Sequence, residues 1–426
     1  MSANRKTAFF TLMDIEARKA YSNLALNHQI ARRKPDSPAL VRQIVYGILE
    51  NKLYIDYLIE HYLDSPVELM RNCEKIVLRM GIYQLKYMDS IPTYAAVNET
   101  VALAKRFCSR KKDLVNAVLR NFMRTGHTIM LPDREEDEVR YLSLKYSYAP
   151  WIVQLWLDNY ESSFVEELLG AGNQIPDLVI RPNLLKTNRE DLKKRLISRK
   201  FQVTDGNLAP DALHVRGSRL IGGRLFNSGM FSVMDEGSMH VVNMLDPQPG
   251  EFIMDVCAAP GGKTVYIAEK MNNIGQVLAQ DIYKRKLNLV TQAADRLGIT
   301  IIKARTWDAT RLNSSLEGSA DRVLVDAPCS GLGVLRRKPE IKYRNLNKEL
   351  RLLPVKQLAI LNASSQSVKS GGILVYSTCT INPAENHRVV LAFLKANKEF
   401  EKEESIQLLP NINNTDGFYI CRMRKK

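Results

Sequence analysis

Ten residues constrain the fold most: Asp255-Val256-Cys257-Ala258-Ala259-Pro260-Gly261-Gly262-Lys263-Thr264. A short apolar run, Phe252-Ile253-Met254, precedes them, and a helical pattern, Val265-Tyr266-Ile267-Ala268-Glu269-Lys270, follows. Strand, small-residue turn and helix in that order build a ligand loop at the carboxyl edge of a parallel sheet. The small residues let a ligand approach the backbone, and the helix start offers N–H groups and a positive dipole end. A nucleotide P-loop, G-x-x-x-x-G-K-[ST], is the nearest rival. Gly262-Lys263-Thr264 supply its end, but Cys257 stands at its first glycine.

The chain after about residue 240 alternates strand and helix. Gln276–Asp281 reads as a second strand, 284–297 as a helix, Ile299–Ala304 as a third strand, and Asp321–Asp326 as a fourth. Ile373–Ser377 reads as a fifth, followed by a helix from about Ala384 and a late edge strand, Phe418–Met423. This pattern predicts a doubly wound, Rossmann-like α/β sheet over residues 239–426. Residues 145–238 read as a small α/β subdomain, with a helix from Ala149-Pro150 and a strand near Asp177–Asn183. Residues 127–150 read as a linker containing the acidic run Glu135–Glu138. Residues 1–130 show apolar positions at helical spacing, as in Cys73, Ile76, Val77, Met80, Tyr83 and Tyr87, or Val97, Val101 and Ala104. They predict an all-α bundle.

Charge separates the segments. Residues 1–130 carry 20 Lys+Arg against 12 Asp+Glu, while the remaining residues carry 41 against 34 over more than twice the length. The densest patch holds Lys105, Arg106, Arg110, Lys111, Lys112, Arg120 and Arg124, the footprint expected of a polyanion partner. No apolar run approaches the roughly 18–20 residues that span a bilayer, and the N-terminus lacks a signal-peptide core. A cytoplasmic, monomeric protein with no membrane partner is expected. The six cysteines are scattered without a CxxC pair, which predicts neither a metal site nor a disulfide framework.

Three acids follow successive strands. Asp281 ends the second strand, where a carboxylate accepts from two ribose hydroxyls. Asp308 follows the third, in reach of an adenine amino group, and Asp326 ends the fourth. Acids in series would repel a phosphate tail, so S-adenosylmethionine is favoured over NAD or ATP. Two cysteines lie just past strand ends on the same edge, Cys329 in Asp326-Ala-Pro-Cys-Ser-Gly331 and Cys379 in Tyr376-Ser-Thr-Cys-Thr380. A thiol beside a cofactor is a candidate nucleophile. A thiolate that adds to pyrimidine C6 makes C5 able to attack a methyl electrophile, provided a group near N3 meets the developing charge. Cys379, Asp326 and S-adenosylmethionine are expected in those roles. Lys263 is expected to brace the cofactor loop and Asp326.

These motifs carry resemblances. Residues 255–264, the run Asp326–Tyr343 and the run Tyr376–Asn386 resemble the signature motifs of the RNA cytosine-C5 methyltransferases. Val41–Gly47, Ile91–Glu99 and Val115–Asn121 resemble the NusB family of RNA-binding helical domains, with Asn116-Ala117 where that family has Asn-Gly. The combination is similar to bacterial enzymes that act on 16S ribosomal RNA, the small-subunit RNA. The resemblance implies a class I fold that uses S-adenosylmethionine, with Cys379 as nucleophile and Cys329 aiding release of the methylated product. It implies cofactor contacts at Cys257, Ala258, Ala259, Pro260, Gly261, Gly262, Lys263, Asp281, Asp308 and Asp326. Arg336 and Arg337, in the loop past Cys329, are expected with the basic patch as RNA contacts. Ser147-Tyr148-Ala149-Pro150-Trp151 stands where the family often has Ser-His-Pro-x-Trp. A non-catalytic RNA-binding or antitermination factor, or a transfer-RNA methyltransferase, are the alternatives.

Overall fold

The computed structural model describes residues 2–125, 129–217 and 220–426. The chain parts into two compact units, one running to Gln174 and taking in Leu335–Arg344, the other formed by Ile175–Val334 and Asn345–Lys426.

In the first unit seven helices run from Ala3 to Arg124. Ile76, Val77, Met80 and Tyr83 enter its core as the helical spacing requires. Helix Thr93–Phe107 turns a slightly different face inward, burying Ala96, Thr100, Leu103 and Ala104 and leaving Val97 and Val101 partly exposed. The linker expected over 127–150 begins in residues outside those described, 126–128, and its later part is a helix, Glu138–Tyr146. Asp137 caps that helix by accepting from Arg140 N–H at 2.8 Å, so the acidic run favours the positive end of a helix.

The segment Leu335–Arg344 joins this unit through buried polar contacts. Tyr343 donates to the Leu49 carbonyl at 2.6 Å, and Glu340 accepts from Ser22 N–H at 3.1 Å. The Lys342 ammonium is fully buried, donates to Asn173 and lies 3.9 Å from the Tyr148 ring centroid. Burial pushes the Lys342 amine down to about 7, against the pull of Glu50. Tyr148, at the departure from the family's histidine, is therefore a core residue, fully buried beside Trp156.

The second unit contains two sheets. Strands β1 (Leu178–Pro182), β2 (Gln202–Asp205), β3 (Leu213–Arg216) and β4 (Phe231–Val233) pair antiparallel in the order β2-β3-β1-β4. The large sheet holds β5 (Phe252–Asp255), β6 (Gln276–Asp281), β7 (Ile302–Thr306), β8 (Ala320–Asp326), β9 (Val368–Thr378), β10 (Phe400–Leu408) and β11 (Phe418–Lys425), in the order β10-β11-β9-β8-β5-β6-β7. Strands β5 to β9 are parallel and β11 runs antiparallel. Ile253, Leu324, Val375 and Ile420 pack on one face and Met254, Val323, Leu374 and Tyr376 on the other. With both faces buried, these strands read as unbroken apolar runs.

Three expectations need correction. The strand from Phe418 is interior, paired with both β9 and β10, and the edge belongs to β10. Strand β10, Glu401-Lys-Glu-Glu-Ser405 at its centre, is solvent-facing there and carries no apolar alternation. The third strand begins at Ile302, because Ile299 is buried in the turn after the helix. The helix after β9 starts at His387, since Asn382–Asn386 form a turn that holds the Cys379 loop.

One buried ion pair ties β1 to the helix behind the ligand loop. Arg181 meets Glu269 at 2.5 Å, both side chains fully buried, with the guanidinium 4.1 Å from the Tyr266 ring centroid. Removing one partner leaves an uncompensated buried charge. Arg181→Met is expected to lower unfolding free energy by about 3–5 kcal/mol, and Arg181→Met with Glu269→Met by less. Urea unfolding checks this; a single variant as stable as the wild type would contradict it.

Candidate active site

The carboxyl ends of β5, β6, β8 and β9 bring the ligand loop, the acids and both cysteines to one edge of the sheet. The loop leaves β5 through Val256, whose N–H donates to the Leu324 carbonyl at 3.1 Å, and Ala258, whose N–H donates to the Gln280 carbonyl at 2.8 Å. Gly261 sits at φ 109° before helix Gly262–Lys270, and a Cβ there would fall 2.9 Å from Val290 Cα. Only glycine allows the turn to pack so closely on the neighbouring helix. Thr264 donates to Asp255 at 2.7 Å and fixes the first helical turn to the strand end.

A cavity of about 280 Å³ opens at this edge. Of the expected residues, Cys257, Ala259, Asp281, Asp308, Asp326, Cys329 and Cys379 line it. Ala258, Pro260, Gly261 and Gly262 shape the loop behind it, and Lys263 supports Asp326 from below. Ile282, Tyr283, Lys286, Trp307, Lys356 and Ile360 also line it, none anticipated from sequence. Ile282 and Tyr283 gave one usable signal, two large apolar residues directly after the ribose-type acid, and they are 49% and 59% exposed. Lys356 gave none, lying in a helix whose neighbours show no motif.

The acceptors at the rim fit an adenosyl group. Asp281 lines the cavity and uses one oxygen to accept from Tyr283 N–H at 2.8 Å, which leaves the other oxygen as an acceptor for hydroxyls. Asp308 accepts from the Thr310 N–H and hydroxyl at 3.0 and 2.8 Å, contacts that hold its carboxyl below the usual range. The space where a Cβ of Gly262 would stand is open at the helix start. Apolar walls with two acids at the rim suit a cationic, phosphate-free nucleoside.

Asp326 is held from two sides. Lys263 Nζ donates to Oδ2 at 2.7 Å, and Ser377 Oγ donates to Oδ1 at 2.8 Å. Burial opposes the Lys263 charge, but Asp326 outweighs it and raises the ammonium above its ordinary value. Asp255 lies behind this pair, 1% exposed, and burial pushes it up to about 7 despite the Thr264 hydrogen bond. The thiols of Cys329 and Cys379 stand 3.4 Å apart. Contact with Cys379, and then burial, push the Cys329 thiol well up, so it keeps its proton at neutral pH. Burial, with Asp255 and Asp326 nearby, likewise raises Cys257.

The candidate RNA residues lie in the other unit. Lys105, Arg106, Arg110, Lys111 and Lys112 are exposed on helix Thr93–Phe107, the turn Ser109–Lys111 and the start of helix Lys112–Arg124. Arg336 and Arg337 are half-buried and already engaged within the chain.

The Asp255 carboxyl titrates near 7 when folded, against 3.8 for an ordinary Asp. Between those values the folded chain holds a proton that the unfolded chain has lost, so this group makes stability fall as pH rises across that window. The stability of Asp255→Asn relative to wild type is expected to climb from about pH 4 to about pH 7 and then stay flat. Urea unfolding across that range checks it; a pH-independent difference would contradict the burial argument.

Residues 242–424 match the family described as 16S rRNA methyltransferase RsmB/F. Residues 2–124 match the NusB family, and 148–221 match the ferredoxin-like domain of RsmF/B-like methyltransferases. The chain is 38% identical to the "Probable ribosomal RNA small subunit methyltransferase B" of Bacillus subtilis (strain 168), across 99% of this chain and 98% of that one. It is 31% identical to the ribosomal RNA small subunit methyltransferase B of Proteus mirabilis, across 91% and 90%. The crystal structure of PH0851 superposes with a TM-score of 0.85 at 25% identity, across 98% of each chain. The architecture is thus an all-α NusB domain, a ferredoxin-like subdomain and a Rossmann-like methyltransferase sheet. With this identity over nearly the full length of both chains, the chain belongs to the ribosomal RNA small subunit methyltransferase B family of S-adenosylmethionine-dependent enzymes.

Proposed function

We propose that this chain transfers a methyl group to C5 of a cytidine in 16S ribosomal RNA, with Cys379 as the nucleophile. The carrying observation is the pair of thiols 3.4 Å apart beside the Lys263–Asp326 pair, on the edge that holds the adenosyl-type cavity. The substrate class is supported by the printed names of the full-length relatives. Residues 1–130 are read as the RNA-binding domain, 145–238 as the small subdomain and 239–426 as the catalytic domain. The exposed cations Lys105, Arg106, Arg110, Lys111 and Lys112 are read as phosphate contacts, with Arg336 and Arg337 secondary because they already have partners in the chain. A ribosomal RNA substrate implies action in the cytoplasm, and among the described residues no helix is long and apolar enough to cross a membrane.

S-adenosylmethionine, when bound by the 257–263 loop, Asp281 and Asp308, supplies an electrophilic methyl group. The chain's residues prepare the base. Cys379 adds to C6, and the ring electrons move toward N3 and C5. Asp326, fixed by Lys263 and Ser377, meets N3, and the Lys263 ammonium 2.7 Å behind it is the proton reserve for that edge. After methylation the C5 proton leaves to a base and the C6–sulfur bond breaks. Cys329 is read as the group that assists this release, a protonated thiol placed beside the departing Cys379 sulfur. A non-catalytic RNA-binding factor would have no use for this arrangement.

Purified protein, labelled S-adenosylmethionine and 16S RNA test the reading. Wild type is expected to produce 5-methylcytidine; its failure to do so on both naked RNA and small-subunit particles would sink the enzyme reading. Cys379→Ala should abolish transfer, while Cys329→Ala should accumulate a protein–RNA adduct resistant to denaturant. The reverse pattern would exchange the two roles. Lys263→Ala should lower kcat by about 10²-fold, the usual cost of one electrostatic donor at a reacting group. An unchanged kcat would exclude its support of Asp326.

A further inference from the structure

Glu385 takes no part in the chemistry above, yet its carboxylate is fully buried, and among the described residues no cation pairs with it. Such a group is tolerated inside a protein only where hydrogen bonds replace water. Its donors come from three elements. Oε2 accepts from Ser330 N–H, one residue past Cys329, at 2.9 Å, and from Gln357 Nε2 at 3.0 Å. Oε1 accepts from Asn382 Nδ2, in the turn past Cys379, at 3.0 Å. Gln357 Nε2 also donates to the Pro328 carbonyl at 3.0 Å, gripping the Cys329 loop on its other side. Around this centre Ser330 and Thr380 share a hydroxyl hydrogen bond of 2.8 Å, and Gly333 N–H donates to the Cys379 carbonyl at 3.0 Å. The neighbouring Asn386 holds the Cys379 loop by accepting from Thr378 Oγ1 at 2.6 Å and donating to the Thr380 carbonyl at 3.0 Å.

We propose that Glu385 is a positioning residue whose carboxylate sets the spacing of Cys329 and Cys379. Its two oxygens accept from both cysteine loops, so the loops lose a shared anchor when it is neutralised or removed. A glutamine keeps the shape but turns one acceptor into a donor, which then opposes either the Asn382 amide or the Ser330 and Gln357 N–H groups. The spacing matters for function through the two-thiol reading above, but it is measurable without that reading.

The test oxidises the purified full chain with diamide, which takes one hydrogen from each of the two thiols as the sulfur–sulfur bond forms and is itself reduced to the hydrazine. The rate at which Cys329 and Cys379 become linked is followed by alkylation and peptide mass analysis in wild type, Glu385→Gln and Glu385→Ala. Disulfide formation demands closely matched thiols. Linkage should be fast in wild type and slower by about tenfold or more in both variants, in line with the cost of misplacing reacting groups by about 1 Å. S-adenosylmethionine affinity, reported by the separate 257–263 loop, should stay within about twofold and certifies that the variants are folded. Equal linkage rates in wild type and a folded Glu385→Gln would overturn the proposal, as would a wild type that does not link. On RNA, Glu385→Gln should lower kcat, leave the cofactor KM unchanged and accumulate the same adduct as Cys329→Ala. A wild type that links its thiols but transfers no methyl group would defeat the functional reading and leave the clamp standing.

Discussion

The parallel pairing of β8 with β9 is the constraint on which the site depends. Its register sets Asp326 opposite Ser377, so the serine hydroxyl reaches the carboxylate and both chains turn out of the sheet at the same height. The loops that follow carry Cys329 and Cys379 and return to each other through Gly333 and the Cys379 carbonyl. A Cβ on Gly333 would lie 1.9 Å from the Gly417 carbonyl oxygen, which leaves no room for any side chain in that crossing. A slip of one residue in the pair would turn each strand's side chains to the opposite face and separate the acid from its serine. The register delivers the two loops side by side, and the thiols they carry meet at 3.4 Å.

Electrostatics around that edge follow from burial. Lys263 is charged where the surroundings disfavour charge, because Asp326 stands 2.7 Å away. Asp255, a second carboxyl behind the same lysine, is driven toward its neutral form by burial and by the nearby Asp326 charge. Both groups are thus biased toward their proton-bound forms, and perturbed titratable groups of this kind cluster at functional sites. Here the result is a proton-bound lysine and a proton-bound Asp255 behind the Asp326 that lines the cavity. Glu385 shows a different solution, a buried carboxylate compensated by neutral N–H donors.

Much of this was legible in sequence, for physical reasons. The parallel strands are buried on both faces and announce themselves as apolar runs ending in an acid. The small-residue turn at 257–262 requires a ligand loop because backbone must approach both a helix and a ligand. The cysteines were found because each follows a strand end. What stayed hidden lacked a local pattern. Strand β10 is an edge strand of Glu, Lys and Ser, so its partner β11 was mistaken for the edge. The burial of Leu335–Arg344 in the helical unit depends on contacts with Leu49, Ser147 and Asn173, far away in sequence. The cavity wall at Lys356 is set by how one helix lies on the sheet. Glu385 sat inside a recognised motif, but only three converging donors reveal its task.

The proposed mechanism passes through a covalent bond between one particular sulfur and the substrate base. That bond can be captured with 16S RNA in which cytidine is replaced by 5-fluorocytidine, because fluorine at C5 blocks the proton loss that precedes release. Incubation with S-adenosylmethionine, digestion and mass spectrometry of the linked peptide would locate the attachment. A nucleotide is expected on the peptide that contains Cys379. Attachment at Cys329, or methyl transfer to ordinary RNA with no covalent complex on the fluorinated RNA, would contradict it.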